Sequence, residues 1–292
     1  MRNFIDPAIH RKSDLIDSSL VVFEKKIPLP AIVEVSASGT CNRVCSFCPR
    51  SAPDYLDIKE YIKNELLEKL VSQLAELGFK GIFLFSGFNE PLVDKNIYHL
   101  VSIARKYLTD CRIEMVTNGD ILNEKRLSKL YESGLDTLLI SVYDSKEQEE
   151  KLIELCLSVG LLPDQYVIRP RYLPPEDDFG ITLSNRGGRM SNAGFPIEDL
   201  KEPLSEPCFY PHYEFFMDYQ GDVLLCPHDW GKKSIVGNLN HSNFIDIWTA
   251  QTMNDARRSL VDGNRCFSPC NVCDVRGTLM GEKHVDAWKM HE

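Results

Sequence analysis

The sequence predicts an α/β protein: a partial (β/α)6-type TIM barrel followed by a small α+β module. Three observations lead there. Short apolar, strand-like runs alternate with helical periods from residue 31 onward, the pattern of repeated βα units around a parallel sheet. About five or six such units fit before residue 185, too few for a closed eight-stranded barrel. After Tyr172 the rhythm stops and loops rich in proline and glycine take over.

Each element has its own local justification. Residues 1–30 mix charge with short apolar stretches, end in Pro28-Leu29-Pro30, and read as an extension that packs on or caps a domain. The run 31–36 is apolar and fits a buried strand. Residues 60–77 carry Ile62, Leu66, Leu67, Leu70, Val71, Leu74 and Leu77 at helical spacing, with Gly78 to stop them. Strands are expected at 81–85, 112–116, 137–142 and 166–169. Helices are expected at 97–107, 124–132 (closed by Gly134) and 146–159. Pro174-Pro175 and Asn185-Arg186-Gly187-Gly188 open a loop region, and Pro196, Pro203 and Pro207 continue it. The expected division is an extension 1–30, a barrel 31–195 and a module 196–292. In the module, 214–219 and 222–225 flank Gln220-Gly221 as a hairpin, and 244–260 has a helical period.

Composition limits the function classes. The 292 residues are 43% hydrophobic and 26% charged, which excludes a disordered or low-complexity chain. A net charge of −10 argues against a broad cationic surface for nucleic acid or anionic lipid. No apolar run approaches the ~18 residues of a membrane span. Residues 1–10 are polar, without the apolar core of a signal peptide, so a cytoplasmic location is expected. Ten cysteines are many for such a compartment, and seven fall into two patterned groups. Clustering of that kind points to metal more than to disulfides.

Cys41, Cys45 and Cys48 directly follow the first strand, at the barrel edge where active sites of such folds sit. Thiolates are the usual iron–sulfur ligands, and a four-iron cube held by three of them leaves one iron open. The alternative is a zinc site completed by a distant fourth ligand. The later group is Cys208, Cys226, Cys270 and Cys273. It would saturate a four-iron cluster, and a four-cysteine zinc site is its alternative, against which the long gap from Cys226 to Cys270 weighs.

The CxxxCxxC spacing, with Phe47 before its last cysteine, resembles the radical S-adenosylmethionine (SAM) superfamily. The resemblance implies a [4Fe–4S] cluster on Cys41, Cys45 and Cys48, whose open iron binds the amino and carboxylate groups of S-adenosylmethionine. Further likenesses fall at successive strand ends: Gly87-Phe88-Asn89-Glu90-Pro91, where the family commonly has Gly-Gly-Glu-Pro, then Thr117-Asn118-Gly119, then Ser141. They imply cofactor contacts from Phe47, Gly87, Asn89, Glu90, Asn118 and Ser141, with Glu90 accepting from the cofactor ammonium. The second cysteine group, with Gly237-Asn238-Leu239 and Ile247-Trp248, resembles the SPASM and twitch domains of that family. Five cysteines fit the shorter twitch form, with one auxiliary [4Fe–4S] cluster.

From residue 31 onward the chain is most similar to the branch that oxidises a secondary alcohol of an aminocyclitol, through 33–35, Thr117-Asn118-Gly119-Asp120 and 183–188. That implies a sugar- or cyclitol-like substrate, an electron donor such as flavodoxin or ferredoxin, and neither nucleic acid nor membrane as partner. Arg186 is then expected to stabilise a developing alkoxide, since a guanidinium is a poor base. His228 and Asp229 are the expected proton acceptors. Alternatives are a redox-neutral epimerase with Cys266 as hydrogen donor, a peptide-modifying maturase, and a non-catalytic zinc module. Cys111 and Cys156 are expected to be buried and inert.

Overall fold

The computed structural model describes residues 6–192, 197 and 200–291. The expected boundary between residues 195 and 196 lies outside the described residues. The chain opens with helix α1 (Pro7–Ser18), started by Pro7 in its first turn and by Asp6, whose carboxylate accepts from Ala8 N at 2.9 Å. A small hairpin, β1 (Phe23–Glu24) and β2 (Ile27–Pro28), leads to β3 (Ile32–Val35). β4 (Ser38–Gly39) and β5 (Ile58–Tyr61) form a second short antiparallel pair.

The βα units follow: α2 (Asn64–Glu76), β6 (Ile82–Phe85), α3 (Ile97–Tyr107), β7 (Arg112–Thr117), α4 (Glu124–Glu132), β8 (Thr137–Val142), α5 (Lys146–Ser158) and β9 (Tyr166–Pro170). The C-terminal part adds α6 (Tyr210–Tyr213), β10 (Glu214–Met217), β11 (Asp222–Leu224), β12 (Ile235–Asn238), α7 (Phe244–Trp248), α8 (Gln251–Val261) and α9 (Glu282–His291).

One sheet organises the molecule, in the order β12-β11-β10-β3-β6-β7-β8-β9. The six strands from β10 to β9 are parallel, and the β10–β11–β12 edge is antiparallel. The partial barrel expected from the alternating pattern is present, and the C-terminal hairpin extends its sheet by pairing β10 beside β3. Alternation along β3 divides the two faces. Val33 and Val35 join the outer core under α2 to α5, with Leu67, Leu70, Leu100, Leu127 and Leu152. Ile32 and Glu34 point the other way, into the barrel.

Three elements differ from their sequence pattern. The expected helix 60–77 starts only at Asn64, because 58–61 pairs with the backbone of 38–39 and Ile62 N donates to Ala37 O at 2.8 Å. The helical period over 244–260 breaks at Ala250 (ψ 146°) into α7 and α8. The break frees Trp248: its Nε1 donates to Pro28 O at 2.8 Å and its carbonyl accepts from Arg257 Nη1 at 2.8 Å. The Arg257 guanidinium lies between the rings of Trp248 and Trp288, 4.1 and 3.7 Å from their centroids. The third difference is α1 itself, which has no counterpart in the predicted elements. Its Ile9, Leu15 and Ile16 pack on Ala31, Ile32, Ile82, Tyr213 and Met280 and close the floor of the barrel.

Ion pairs fix α1 there. Arg11 binds Glu114 at 2.5 Å, Lys12 binds Glu214 at 2.9 Å, and Asp6 meets Arg171, both of them buried. Removing one partner of a buried pair strands the other. Asp6→Asn, which keeps an oxygen for the helix cap, should therefore lower stability by about 3–5 kcal/mol in urea unfolding; a loss below about 1 kcal/mol would show that the pair does not anchor α1.

Candidate active site

The first cysteine loop leaves the sheet at the C-terminal end of β3, and its backbone is pinned on several sides. Glu90 N donates to Thr40 O at 3.1 Å, and Ser36 Oγ accepts from Phe88 N at 3.0 Å. Arg50 reaches across to Gly39 O (3.3 Å), Phe88 O (3.2 Å), Tyr55 Oη (3.2 Å) and the Asp57 carboxylate. Arg43, inside the motif, binds Asp120 and Asp144, which follow β7 and β8, at 2.5 and 2.7 Å, and lies over the Tyr143 ring. Sequence reasoning passed over both arginines; an acidic residue just past each of two strand ends was the available signal.

Cys41, Cys45 and Cys48 are free thiols at this strand end. Burial pushes Cys45 up to about 12, helped by its neighbours Cys48 and Cys41, and raises the other two. Such groups ionise only beside strong positive charge, which iron supplies.

The expected cofactor residues surround the loop. Gly87 has φ +98°, and a Cβ there would come within 2.9 Å of Ser36 Cβ and 3.0 Å of the Phe216 ring, so only glycine fits. Asn89 accepts from Ser36 Oγ at 3.2 Å, while its Nδ2 is buried without a partner, a donor left for a ligand. Glu90 accepts from Leu92 N (3.0 Å), Thr117 Oγ (2.7 Å) and Asn118 N (2.7 Å), and burial raises it to about 7. Asn118 Nδ2 donates to Asn42 Oδ1 at 2.7 Å and lies 4.0 Å from Cys41 Sγ. Phe47 packs against Tyr143 and Phe179 at 5.9 and 5.0 Å and, with Cys45, lines an open cavity of about 530 Å³. Ser141 is buried on β8 beside Arg169 of β9. These positions fit S-adenosylmethionine: aromatic faces, a buried free amide and a carboxylate converge on the thiol loop.

The second group is more enclosed. Cys208, Cys226, Cys270 and Cys273 line one cavity, with Leu225, Leu260 and Val275 among its apolar walls. Four thiols within apolar walls suit a fully protein-ligated four-iron cluster, for which cysteine is the usual ligand. Gly277 completes the cradle, since a Cβ there would lie 2.2 Å from Cys208 Sγ. Burial and mutual repulsion hold Cys226 well above an ordinary thiol and push Cys270 up to about 12.

Arg186 and His228 stand at the edge of this cavity, which His228 and Gly187 line. Arg186 Nη1 lies 3.1 Å from His228 Nδ1, so the imidazole accepts from the guanidinium. Burial first, then Arg186, holds His228 well below its usual pKa. Its Nδ1 is thereby occupied by Arg186. Asp229 is buried, and its carboxylate closes the following turn by accepting from Lys233 N (2.9 Å) and Ser234 N (2.7 Å). Cys266 is exposed and lines neither cavity. Cys111 and Cys156 are buried.

Comparison with known proteins agrees with this geometry. Residues 35–155 match the Radical SAM superfamily, and residues 208–274 match SPASM, an iron–sulfur cluster-binding domain. An S-adenosyl-L-methionine-dependent 2-deoxy-scyllo-inosamine dehydrogenase of Niallia circulans is 30% identical over 245 residues, 84% of this chain and 92% of its own. The chain belongs to the radical SAM superfamily. As a radical SAM enzyme it uses S-adenosylmethionine and two [4Fe–4S] clusters. The structure of BtrN in complex with AdoMet and 2-DOIA superposes with a TM-score of 0.70 at 28% identity, covering 86% of this chain and 95% of that one. anSMEcpe with bound AdoMet shares the fold at 14% identity, with a TM-score of 0.54 over 90% of this chain and 96% of its own. No helix among the described residues is long and apolar enough to cross a membrane.

Anaerobically reconstituted protein should hold about eight irons and eight sulfides per chain, and Cys226→Ala about four of each. Cys266→Ala should leave the count at about eight. An unchanged count in Cys226→Ala, by iron and sulfide assay, would contradict the second site.

Proposed function

We propose that this radical SAM enzyme is a dehydrogenase that oxidises a secondary alcohol of a sugar- or cyclitol-like molecule to a ketone, passing one electron to the auxiliary cluster. The observation that carries the reading is the four-cysteine cavity with Arg186 and His228 at its edge. A cluster with all four ligands from protein has no open iron for substrate, so its use is to take an electron. When bound, the first cluster and S-adenosylmethionine supply a 5′-deoxyadenosyl radical that removes the carbinol hydrogen atom. The carbinol thereby loses one hydrogen atom, one proton and one electron, and closes its C=O bond; the proton passes to water.

The chain's residues orient and stabilise. Asn89, Glu90, Asn118, Ser141 and Phe47 hold the cofactor. Arg186, unable to act as a base, stabilises the oxyanion as the hydroxyl ionises, and His228 orients its guanidinium. The named dehydrogenase of Niallia circulans supports the reaction class. The reductant is a small electron carrier of the flavodoxin or ferredoxin kind, and the setting is the reducing cytoplasm, where open thiols persist. Nucleic acid has no part in it. The exposed position of Cys266 favours no epimerase step.

The test is anaerobic turnover with cyclitols deuterated at the carbinol carbon. One 5′-deoxyadenosine per ketone, carrying the deuterium, is expected. Return of hydrogen to an inverted alcohol, or no deoxyadenosine under reducing conditions, would overturn the reading. Arg186→Gln should lower kcat by about 10²–10³ with a smaller change in KM; loss confined to KM would assign Arg186 to binding alone.

A further inference from the structure

The wall of the second cysteine cavity contains a cation that the proposed chemistry leaves unused. Arg265 lines that cavity beside Cys208, Cys270 and Cys273 and is 1% exposed. Its guanidinium is gripped by the chain on both flanks of the ligand set. Nε donates to Glu206 O and Nη2 to Pro207 O, each at 2.8 Å, and these are the two carbonyls just ahead of Cys208. Nη1 donates to Val275 O at 3.0 Å, two residues past Cys273. Cys208 is itself fixed, by its N–H to Leu260 O at 3.0 Å and by a bridge to Gly277.

The partners of Arg265 among the described residues are those three carbonyls, with no carboxylate. The acidic groups nearby are occupied elsewhere. Asp229 accepts from Lys233 N and Ser234 N, Asp274 accepts from Asn185 N at 2.8 Å, and Glu206 is exposed. A buried guanidinium without a counter-ion is costly. Thiolates around iron supply the missing negative charge, and reduction of such a cluster adds one further unit.

We infer that Arg265 raises the reduction potential of the auxiliary cluster and thereby fits it to take the substrate's electron. Cluster potentials follow the net charge, hydrogen bonding and exposure around them, and a cation stabilises the reduced, more negative form. Apolar walls that exclude water leave that attraction weakly screened. In the step served, one electron leaves the substrate as its C=O bond closes and reduces the cluster by one unit; no bond to Arg265 forms or breaks. The inference rests on the reading that this cavity holds the auxiliary cluster, and it adds the residue that sets the potential. The charges around the thiols agree. Burial raises Cys208, Cys270 and Cys273, and Arg265 draws each of them back down. Asp229 opposes it at Cys270 and Asp274 at Cys273, from carboxylates already bonded to backbone N–H groups.

The experiment is a redox titration of anaerobic holoenzyme with both clusters and S-adenosylmethionine, followed by electron paramagnetic resonance. The cluster whose signal shifts with the cofactor is the internal reference. Arg265→Gln should keep about eight irons per chain. Its second cluster should be at least about tenfold harder to reduce, which for one electron is about 59 mV lower, while the reference stays in place. Arg265→Lys, which keeps the charge, should hold the unaltered constant to within about threefold. An unmoved second potential in iron-replete Arg265→Gln, or an equal fall of both clusters, overturns the inference. Should Arg265→Gln fail to hold the second cluster, Arg265→Lys decides: an unaltered potential supports the role of charge, and a fall of about tenfold contradicts it. Loss of that cluster in both variants would assign Arg265 to holding the site together instead. If the Arg265→Gln potential falls while the unaltered protein makes no ketone from any cyclitol, the dehydrogenase reading fails and this inference stands.

Discussion

Thiols that burial keeps protonated, gathered at two places in one fold, are the constraint on which the rest depends. A buried thiolate without a counter-charge is unfavourable, so each group is stable as an ionised ligand set only around iron. The two settings differ in enclosure. Cys45 of the trio at the end of β3 lines an open cavity with aromatic walls, whereas the quartet lines a more enclosed apolar one. That difference separates a cluster able to take an external ligand from one that only exchanges electrons.

The sheet holds the two groups at opposite ends of its strands: Cys41 follows the C-terminal end of β3, whereas Cys208 precedes β10 and Cys226 follows the antiparallel β11. Because β10 pairs with β3, the chain that carries Cys208 and Cys226 is tied to the strand that leads into Cys41. Arg186 acts on Cys48 through its charge and holds His228 Nδ1 at 3.1 Å. The floor of the barrel is closed by α1, whose cations answer carboxylates on β7 and β10. An open half-barrel would otherwise expose those carboxylates and the apolar side chains around Ile32 and Ile82.

Much of this was legible in the sequence because it rests on local pattern. The strands and outer helices follow apolar periodicity, and the cysteine spacing declares its own chemistry. What could not be read depends on partners distant in sequence. Nothing near residue 12 signals that Lys12 meets Glu214, and the break at Ala250 exists because Trp248 must reach Pro28 and Arg257. Asp229 reads as a base beside a cluster, and its bonds to two backbone N–H groups four and five residues on depend on a turn that the sequence does not announce. His228 was chosen by its ordinary pKa, which burial and Arg186 remove. The β5 strand escaped notice because its four side chains are exposed, so apolar pattern carries no information about its pairing.

Electron paramagnetic resonance of the reduced holoenzyme, before and after S-adenosylmethionine is added, tests the central claim most directly. A shift of the spectrum is predicted for the cluster on Cys41, Cys45 and Cys48, with no change in the signal that remains when those three are replaced by alanine. A cofactor-induced shift in that triple variant, or none in the unaltered protein, would contradict the division of labour between the two clusters.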